Sequence, residues 1–528
     1  MKTNKILIVG GGSAGWMTAA TLIKFYPKKD ITLIESPTVP TIGVGESTLG
    51  HINNWLQALE IKDEEFMKAS DATYKYSIRF VDFESIGCEP HHYPFGNVYL
   101  EGCSNLGVMD WHIKKAIYPE TPLQDYARTF MPQMALVDKN KINTNSSGIF
   151  NTFRFDKDTA YHFDALKFAG WLKDSYAKPK GVKHIQDTVT NVNTDSNGVT
   201  SITTENSGDL TADLYIDCTG FKSMLLGEAL EEPYEPYAHT LTNNKAWACQ
   251  VPYIDIEKEM QCFTNCTALG NGWVWNTPVW SRLGTGYVYS DKYISSEDAL
   301  EEFKNYLCSN KMLIPRTKEQ VESYKFREVS FKSGIYKRTW VKNVCAIGLS
   351  AGFLEPLESN GLFSIHEFLL KMMSILQRGK VSQWDRDVYN TTTRNQFDNF
   401  AEFVGLHYAL SHRDDTEYWK DISNKTFDQS MVNLEVSRKV GYFDLANQHM
   451  FDWTFAPRGG IHFVATGLNF LPVDKMRVDI MEFLHKRDFK GMIDEINKVW
   501  ERNKRMWDAS ADTSPTHYEY LKNTIYKE

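Results

Sequence analysis

Long hydrophobic runs are missing from this chain. No part of its 528 residues approaches the roughly 20 consecutive apolar positions that a membrane-spanning helix needs. The short apolar run Lys5 to Val9 leads straight into glycines, which marks a strand feeding a turn and not a secretory signal. Basic clusters are missing as well: the net charge is -9 and no lysine- or arginine-rich run stands out, which argues against a nucleic-acid surface. The eight cysteines form no C-x-x-C pair and have no histidines at zinc spacing, so they read as reduced thiols of a cytoplasmic protein. The adjacent His91 and His92 read as surface residues of a loop, and no metal is expected. Internal repeats and low-complexity segments are also absent. What is present is ordinary globular usage, 42% hydrophobic and 24% charged, in a chain long enough for two or three modules with large cores. Size and aromatic content leave a homo-oligomer open.

The N-terminus carries a full βαβ signature. An apolar strand, KILIVG, is followed by Gly10, Gly12 and Gly15 in G-x-G-x-x-G spacing, then by the helical run Trp16 to Tyr26. A second strand, ITLIE, ends in Glu35, twenty residues beyond Gly15. Glycines in that pattern permit a tight turn and let the backbone approach a pyrophosphate, while an acid at that distance meets a ribose hydroxyl. Strand, glycines, helix and acid in order point to an adenine dinucleotide. A second G-x-G-x-x-G is absent, so the chain is not expected to carry an NADH domain of its own.

Further along, Tyr161 to Ala177 reads as a helix, and Val189 to Thr204 reads as a strand pair around the turn residues Asp195 to Gly198. Apolar strands recur at Leu214 to Gly220 and after Val344. The segment Thr73 to Phe83 alternates, with Tyr74, Tyr76, Ile78 and Phe80 on one face and Lys75, Ser77 and Arg79 on the other; taken alone, Lys75 is a solvent-facing strand residue. Residues 349–363, LSAGFLEPLESNGLF, place Glu355 and Glu358 around a Pro-Leu pair. Ser359, Asn360 and Gly361 follow, ahead of a helical stripe of Leu362, Ile365, Phe368, Leu369, Met372 and Leu376. The first N–H groups of such a helix lack intrahelical partners and attract anions, although Ser359 or Asn360 could equally cap a core helix. Trp273 and Trp275 read as same-face tryptophans packed against a sheet.

Several of these stretches match one family in order: GGGSAGW at Gly10 to Trp16, PTIGVGEST at Pro40 to Thr48, IDCTGF at Ile216 to Phe221 and GWVWNTPVWSRLGTGYVYS at Gly272 to Ser290. NVCAIGLSAGFLEPLES at Asn343 to Ser359 and LHYALSHRDDTEYW at Leu406 to Trp419 continue the series, and Lys75 falls in register with the pattern K-x-x-I-[KR]-F-x-x-[FW]. The chain resembles the flavin-dependent halogenases of the tryptophan halogenase superfamily over most of its length, most weakly after Trp419. It departs from the family at Asn360, where threonine is usual, and at Thr277, where isoleucine is usual. Gly348 and Leu349 stand where many flavin hydroxylases have a Gly-Asp pair.

The resemblance implies an α/β protein, a Rossmann-like FAD-binding monooxygenase fold with an additional, mainly helical substrate module. Residues 1–90 and 155–375 would form a discontinuous FAD module, 91–154 an active-site loop insertion, and 376–528 the helical module, in which Trp384, Trp419, Trp453, Trp500 and Trp507 serve helix packing. It assigns FAD to Gly10, Gly12, Ser13, Ala14, Gly15, Glu35, Gly45, Glu46, Val189, Asp217, Gly220, Leu349 and Leu362. Halide would sit at Ser359, Asn360 and Gly361. Lys75 and Glu358 would be catalytic, Lys75 holding hypohalous acid as an ammonium or forming a haloamine as an amine. The implied reaction uses reduced FAD from a separate NAD(P)H flavin reductase, dioxygen and chloride, bromide or iodide to halogenate an electron-rich indole, phenol or related small aromatic. A flavin-dependent aromatic hydroxylase and a non-catalytic FAD-binding protein are the alternatives.

Overall fold

The computed structural model describes residues 1, 3–38, 45–104, 109–423, 460–469 and 489–527. Pro40 to Val44 of the PTIGVGEST stretch and Trp453 lie outside the described residues.

The βαβ unit folds as its pattern requires. Lys5–Val9 pairs in parallel with Asp30–Glu35, Ile6 opposite Ile31 and Ile8 opposite Leu33, and on its other edge with Leu214–Asp217. Strands buried on both faces of a parallel sheet are apolar almost without alternation, as Ile6, Leu7, Ile8 and Val9 are. The sheet has six strands in the order Trp340–Val341, Val344–Ala346, Leu214–Asp217, Lys5–Val9, Asp30–Glu35 and Lys183–Gln186. The helix Ser13–Phe25 packs on it and against the later helix Gly361–Leu376.

A second sheet of seven strands runs from Arg327–Ser330 through Lys245–Val251, Arg282–Tyr289, Gly272–Val279, Phe263–Ala268 and Ser77–Val81 to His91–Pro94. A three-stranded sheet, Gly45–Ser47, Ala160–Asp164 and Thr73–Lys75, packs against Gly272–Val279 and brings Ser47 and Thr73 opposite His162 from its two sides. The stripe read from Leu362 to Leu376 is buried as a unit within Gly361–Leu376, and the 27-residue helix Gln383–Ala409 packs along it.

Four readings change. Tyr161 to Ala177 is not one helix: Ala160–Asp164 is a strand, and the helix begins at Ala165 because the Asp164 carboxylate accepts the N–H groups of Leu166 and Lys167. His91 and His92 are not on a surface loop. They belong to an edge strand and are buried, His91 stacked on Phe80 and His92 bonded through Nδ1 to Ser77 Oγ at 3.0 Å. The stretch after Pro90 is more than a loop, since it supplies that strand and the helices Met109–Ile117, Asp125–Phe130 and Met134–Asp138. Trp419, Trp500 and Trp507 are buried in helix packing, whereas Trp384 is 71% exposed.

Candidate active site

A cavity of about 610 Å³ opens at the C-terminal ends of Lys5–Val9 and Asp30–Glu35. Gly10, Gly12, Ser13, Ala14, Glu35, Gly45, Glu46, Val189, Gly220, Leu349 and Leu362 all line it. Gly10 turns with φ +109°, and a Cβ there would lie 2.2 Å from the Cys218 carbonyl oxygen, so only glycine allows the chain to pass. Helix Ser13–Phe25 starts behind Gly12 with no side-chain cap and no acidic residue in its first turn, leaving its first N–H groups for a phosphate. Glu35 lies directly beneath Gly11, its Oε1 2.8 Å from His184 Nε2. Volume, glycine turn, open helix end and acid fit FAD.

Two residues assigned to the cofactor do not line the cavity. Gly15 is the helix–strand contact, since a Cβ there would lie 1.9 Å from the Gly10 carbonyl oxygen. The Asp217 carboxylate accepts N–H groups of Thr219, Leu225 and Leu226 at 2.8–3.0 Å, which shapes the turn that puts Thr219 and Gly220 on the cavity wall.

Lys75 is fully buried just beyond that wall. Its Nζ donates to Ser47 Oγ at 2.8 Å, Ser359 Oγ at 2.7 Å and the Thr48 carbonyl at 3.0 Å, and it lies 5.0 Å from the Phe95 ring centroid. Burial overturns the solvent-facing reading. Desolvation pushes the ammonium down to about 7, opposed by the nearby Glu358 carboxyl. Ser47 and Ser359 each line the FAD cavity while holding Lys75 from behind, and their hydroxyls are 3.0 Å apart. Ser359 reaches this position through a left-handed backbone, φ +58°.

Glu358 is also fully buried, its carboxyl pushed well above the usual range by burial and held down by Lys75. His407 Nε2 lies 2.6 Å from its Oε1, and Oε2 has no hydrogen-bond partner among the described residues. The next residue on the same helix, Tyr408, donates to Glu355 Oε1 at 2.7 Å, and Asn243 donates to Glu355 Oε2 at 2.6 Å. Consecutive side chains of Gln383–Ala409 therefore grip both glutamates that flank the Pro-Leu turn. Burial pushes Glu355 up to about 7 and His407 down to about 3, so His407 is a neutral partner.

At the start of Gly361–Leu376, neither Ser359 nor Asn360 acts as a cap. The Ser359 hydroxyl is engaged by Lys75 and Ser47, and Asn360 makes no capping bond. Asn360 is 5% exposed and lines the cavity, with neither amide atom bonded among the described residues. A partnerless buried amide at an uncapped helix N-terminus suits a small anion. Glu46 approaches the same helix end. Burial and Asp164 push its carboxyl up to about 7, which favours a neutral acid beside that anion position.

Trp273 is wholly buried, and Trp275, 6.3 Å away ring to ring, forms part of the cavity wall with Thr277. Gly286 on the neighbouring strand makes room for the Trp275 ring, which would lie 2.1 Å from a Cβ there. The pair does form a packed wall.

Sequence reasoning missed Ser47, His162, Thr264, His407 and Tyr408. Ser47 and the His407-Tyr408 pair lie inside matched motifs, so position in a motif was a usable signal. His162 and Thr264, which bond to each other and reach Lys75 through Ser47, had none, because only the strand register brings them together.

The site is that of a flavin-dependent enzyme, with a buried lysine and a buried glutamate behind the wall of its cofactor cavity. Sequence comparison places it more closely. The sequence model of the family described as tryptophan halogenase matches residues 5–473, and the chain belongs to that family. It is 33% identical over 466 residues to the tryptophan 6-halogenase SttH of Streptomyces toxytricini, covering 84% of this chain and 85% of that one. The tryptophan 7-halogenase RebH of Lentzea aerocolonigenes is 31% identical over 432 residues, 79% and 78% of the two chains. Among solved structures, apo VirX1 superposes with a TM-score of 0.89 at 38% identity over 100% of both chains, and SttH with 0.83 at 30% identity over 98% and 99%. The protein is a flavin-dependent halogenase with a Rossmann-like FAD-binding fold. No helix among the described residues is long and apolar enough to cross a membrane.

Proposed function

We propose that this chain halogenates a small electron-rich aromatic, using FADH2 from a separate NAD(P)H flavin reductase, dioxygen and halide. The observation that carries this is the pair Ser47 and Ser359, which faces the FAD cavity and holds Lys75 on the other side. Bound reduced flavin supplies the activation of dioxygen that converts halide to hypohalous acid. The protein's residues divide the remaining work. Asn360 and the N–H groups of Gly361–Leu376 hold the halide beside the cofactor, and Trp275 with Thr277 closes the wall that keeps the aromatic substrate from the flavin. Lys75 receives the hypohalous acid and presents the halogen, and Glu358 stabilises the cationic ring intermediate or helps accept its proton. Residues 376–528 form the substrate side. SttH and RebH are tryptophan halogenases, which makes an indole the first substrate to assay.

The test combines the protein with FAD, a reductase, NADH and oxygen, a panel of indoles and phenols including tryptophan, and chloride, bromide or iodide in turn. The expected product is an aromatic one halogen heavier, absent when halide is omitted. Oxygenated product formed equally without halide would overturn the reading in favour of a hydroxylase.

A further inference from the structure

From Lys75 a line of hydroxyls runs along the cavity wall, half-buried at Ser47 and buried from Thr264 onward, and ends on an imidazole. Lys75 Nζ is 2.8 Å from Ser47 Oγ, Ser47 Oγ is 2.8 Å from Thr264 Oγ1, and Thr264 Oγ1 is 2.9 Å from His162 Nε2. On the far side of the ring, His162 Nδ1 lies 3.3 Å from Thr73 Oγ1, which donates to the Pro278 carbonyl at 2.6 Å. Lys75, Thr73 and His162 are fully buried and Thr264 is nearly so.

The last carbonyl fixes the direction of every bond in the line. A carbonyl only accepts, so the single Thr73 proton goes to Pro278 and Thr73 Oγ1 must accept from His162. That puts the ring proton on Nδ1 and leaves Nε2 as the acceptor, so Thr264 donates to Nε2 and Ser47 donates to Thr264. Ser47 Oγ then accepts from Lys75 and from Ser359. The line is therefore ordered from the Lys75 ammonium to the Nε2 lone pair that accepts from Thr264.

We infer that Ser47, Thr264 and His162 form a proton relay that takes a proton from Lys75 and returns it during halogen transfer. This rests on the reading of Lys75 as the transfer residue. In the outward step an N–H bond of Lys75 breaks, and its electron pair stays on nitrogen as the amine lone pair. Ser47 and Thr264 each pass a proton onward, and a new N–H bond forms at His162 Nε2, leaving the net charge of the compartment unchanged. The amine then attacks the halogen of hypohalous acid: the N–halogen bond forms, the O–halogen bond breaks, and the departing oxygen takes a nitrogen-bound proton as water. When the aromatic carbon takes the halogen, the N–halogen electron pair returns to nitrogen, which regains a proton from His162 through the same line. The ring proton leaves by way of Glu358 and ends on the Lys75 amine, so the ammonium is restored and the cycle closes. His162 is therefore a positioning residue that acts through Lys75. The titratable groups around it are Lys75 and His517. His517 accepts the Tyr74 N–H at Nε2 and is held neutral by burial. Burial, with the Lys75 ammonium beside it, also holds His162 well below its ordinary value, so Nε2 carries the proton only transiently, while Lys75 is uncharged.

The test measures halogenated product formed per hypohalous acid generated, across pH, in Thr264→Val, Thr264→Ser, His162→Gln and Lys75→Ala. Without the relay, Lys75 must lose its proton to bulk water. Thr264→Val and His162→Gln are expected to lower the ratio about 10-fold near pH 6, where about a tenth of a lysine titrating at about 7 is the amine. They should recover to within about threefold near pH 9, above the Lys75 titration at about 7. Thr264→Ser, which keeps the hydroxyl, should behave as the parent. A Thr264→Val or His162→Gln protein with the parent's ratio and pH profile would overturn the relay, as would a Thr264→Ser protein that falls with Thr264→Val. Halogenation surviving in Lys75→Ala would overturn the underlying reading of Lys75; its loss in Lys75→Ala with an unchanged Thr264→Val profile would overturn the relay alone.

Discussion

Asn360 is the residue at which this chain most visibly departs from its family pattern, and the structure gives the departure physical content. Its amide is buried, lines the cavity and has no partner among the described residues, so it offers a donor and an acceptor where the family offers one hydroxyl. A halide uses only the donor, and its fit depends on ion size and on how firmly that donor is held. Asn360→Thr is therefore expected to change the ratio of chlorinated to brominated product, measured in equimolar halide, by about fivefold, the size of one net hydrogen bond. An unchanged ratio would remove Asn360 from the halide site. Lys75 shows a different residue-scale lesson: as a single letter it looked like an ordinary strand lysine, and only family register distinguished it. Burial is a property of what packs above a strand, and no local pattern contains it.

At the scale of elements, the first βαβ unit was legible because each part constrains the next. The apolar strand needs two covered faces, the glycines need a close approach, and the acid must lie at the end of the adjacent strand. The structure tightens this at Gly11, where a Cβ would lie 1.6 Å from Glu35 Oε2 and 2.5 Å from Glu35 Cβ. Gly11→Ala is expected to displace Glu35 and weaken FAD binding at least about 10-fold, or roughly 1.4 kcal/mol, as read by flavin fluorescence titration. Circular dichroism should stay unchanged; parent-like affinity would show that Glu35 does not set the cofactor's position. The helix Gly361–Leu376 was equally legible, since its stripe is a helical repeat. Tyr161 to Ala177 was not, because the apolar residues of a buried strand run into those of the helix and only the Asp164 cap separates them. His91 and His92 were misplaced for a related reason. A polar pair between prolines looks like a turn, yet Phe80 and Ser77 on the neighbouring strand give each ring a buried partner. The Lys75–Ser47–Thr264–His162 line could not be read at all, as its members come from four strands whose register is set by the fold.

At the scale of the whole molecule, the interior holds an unusual number of neutral histidines. Burial depresses His91 and His407 to about 3 and His462 and His517 to about 4, and it holds His92, His112 and His162 well below their ordinary value. A base whose folded pKa is depressed contributes its full stability above its unfolded pKa and loses it as pH falls towards the folded one. Below about 6.5 the unfolded chain takes up protons that these native histidines refuse. Among the described residues seven carboxyls are raised and act in the opposite sense, losing stability as pH rises. Asp63, Glu89, Asp110 and Asp158 are raised less far, and only Glu46, Glu355 and Glu358 reach about 7 or well above the usual range, against seven strongly depressed histidines. The denaturation midpoint in urea should therefore fall steadily between about pH 6.5 and pH 4. A flat or rising midpoint over that interval would mean that the histidine sites are open to water.

The division of the molecule into a cofactor cavity and a buried transfer compartment, joined by Ser47 and Ser359, is the claim on which the account stands. Lys75→Ala tests it most directly, with two readouts in one reaction: hypohalous acid captured by a small-molecule halogen trap, and halogenated aromatic product by mass. The account predicts that the trap continues to be halogenated at a rate near that of the parent while aromatic product falls by at least about 100-fold. Undiminished aromatic halogenation by Lys75→Ala would contradict it.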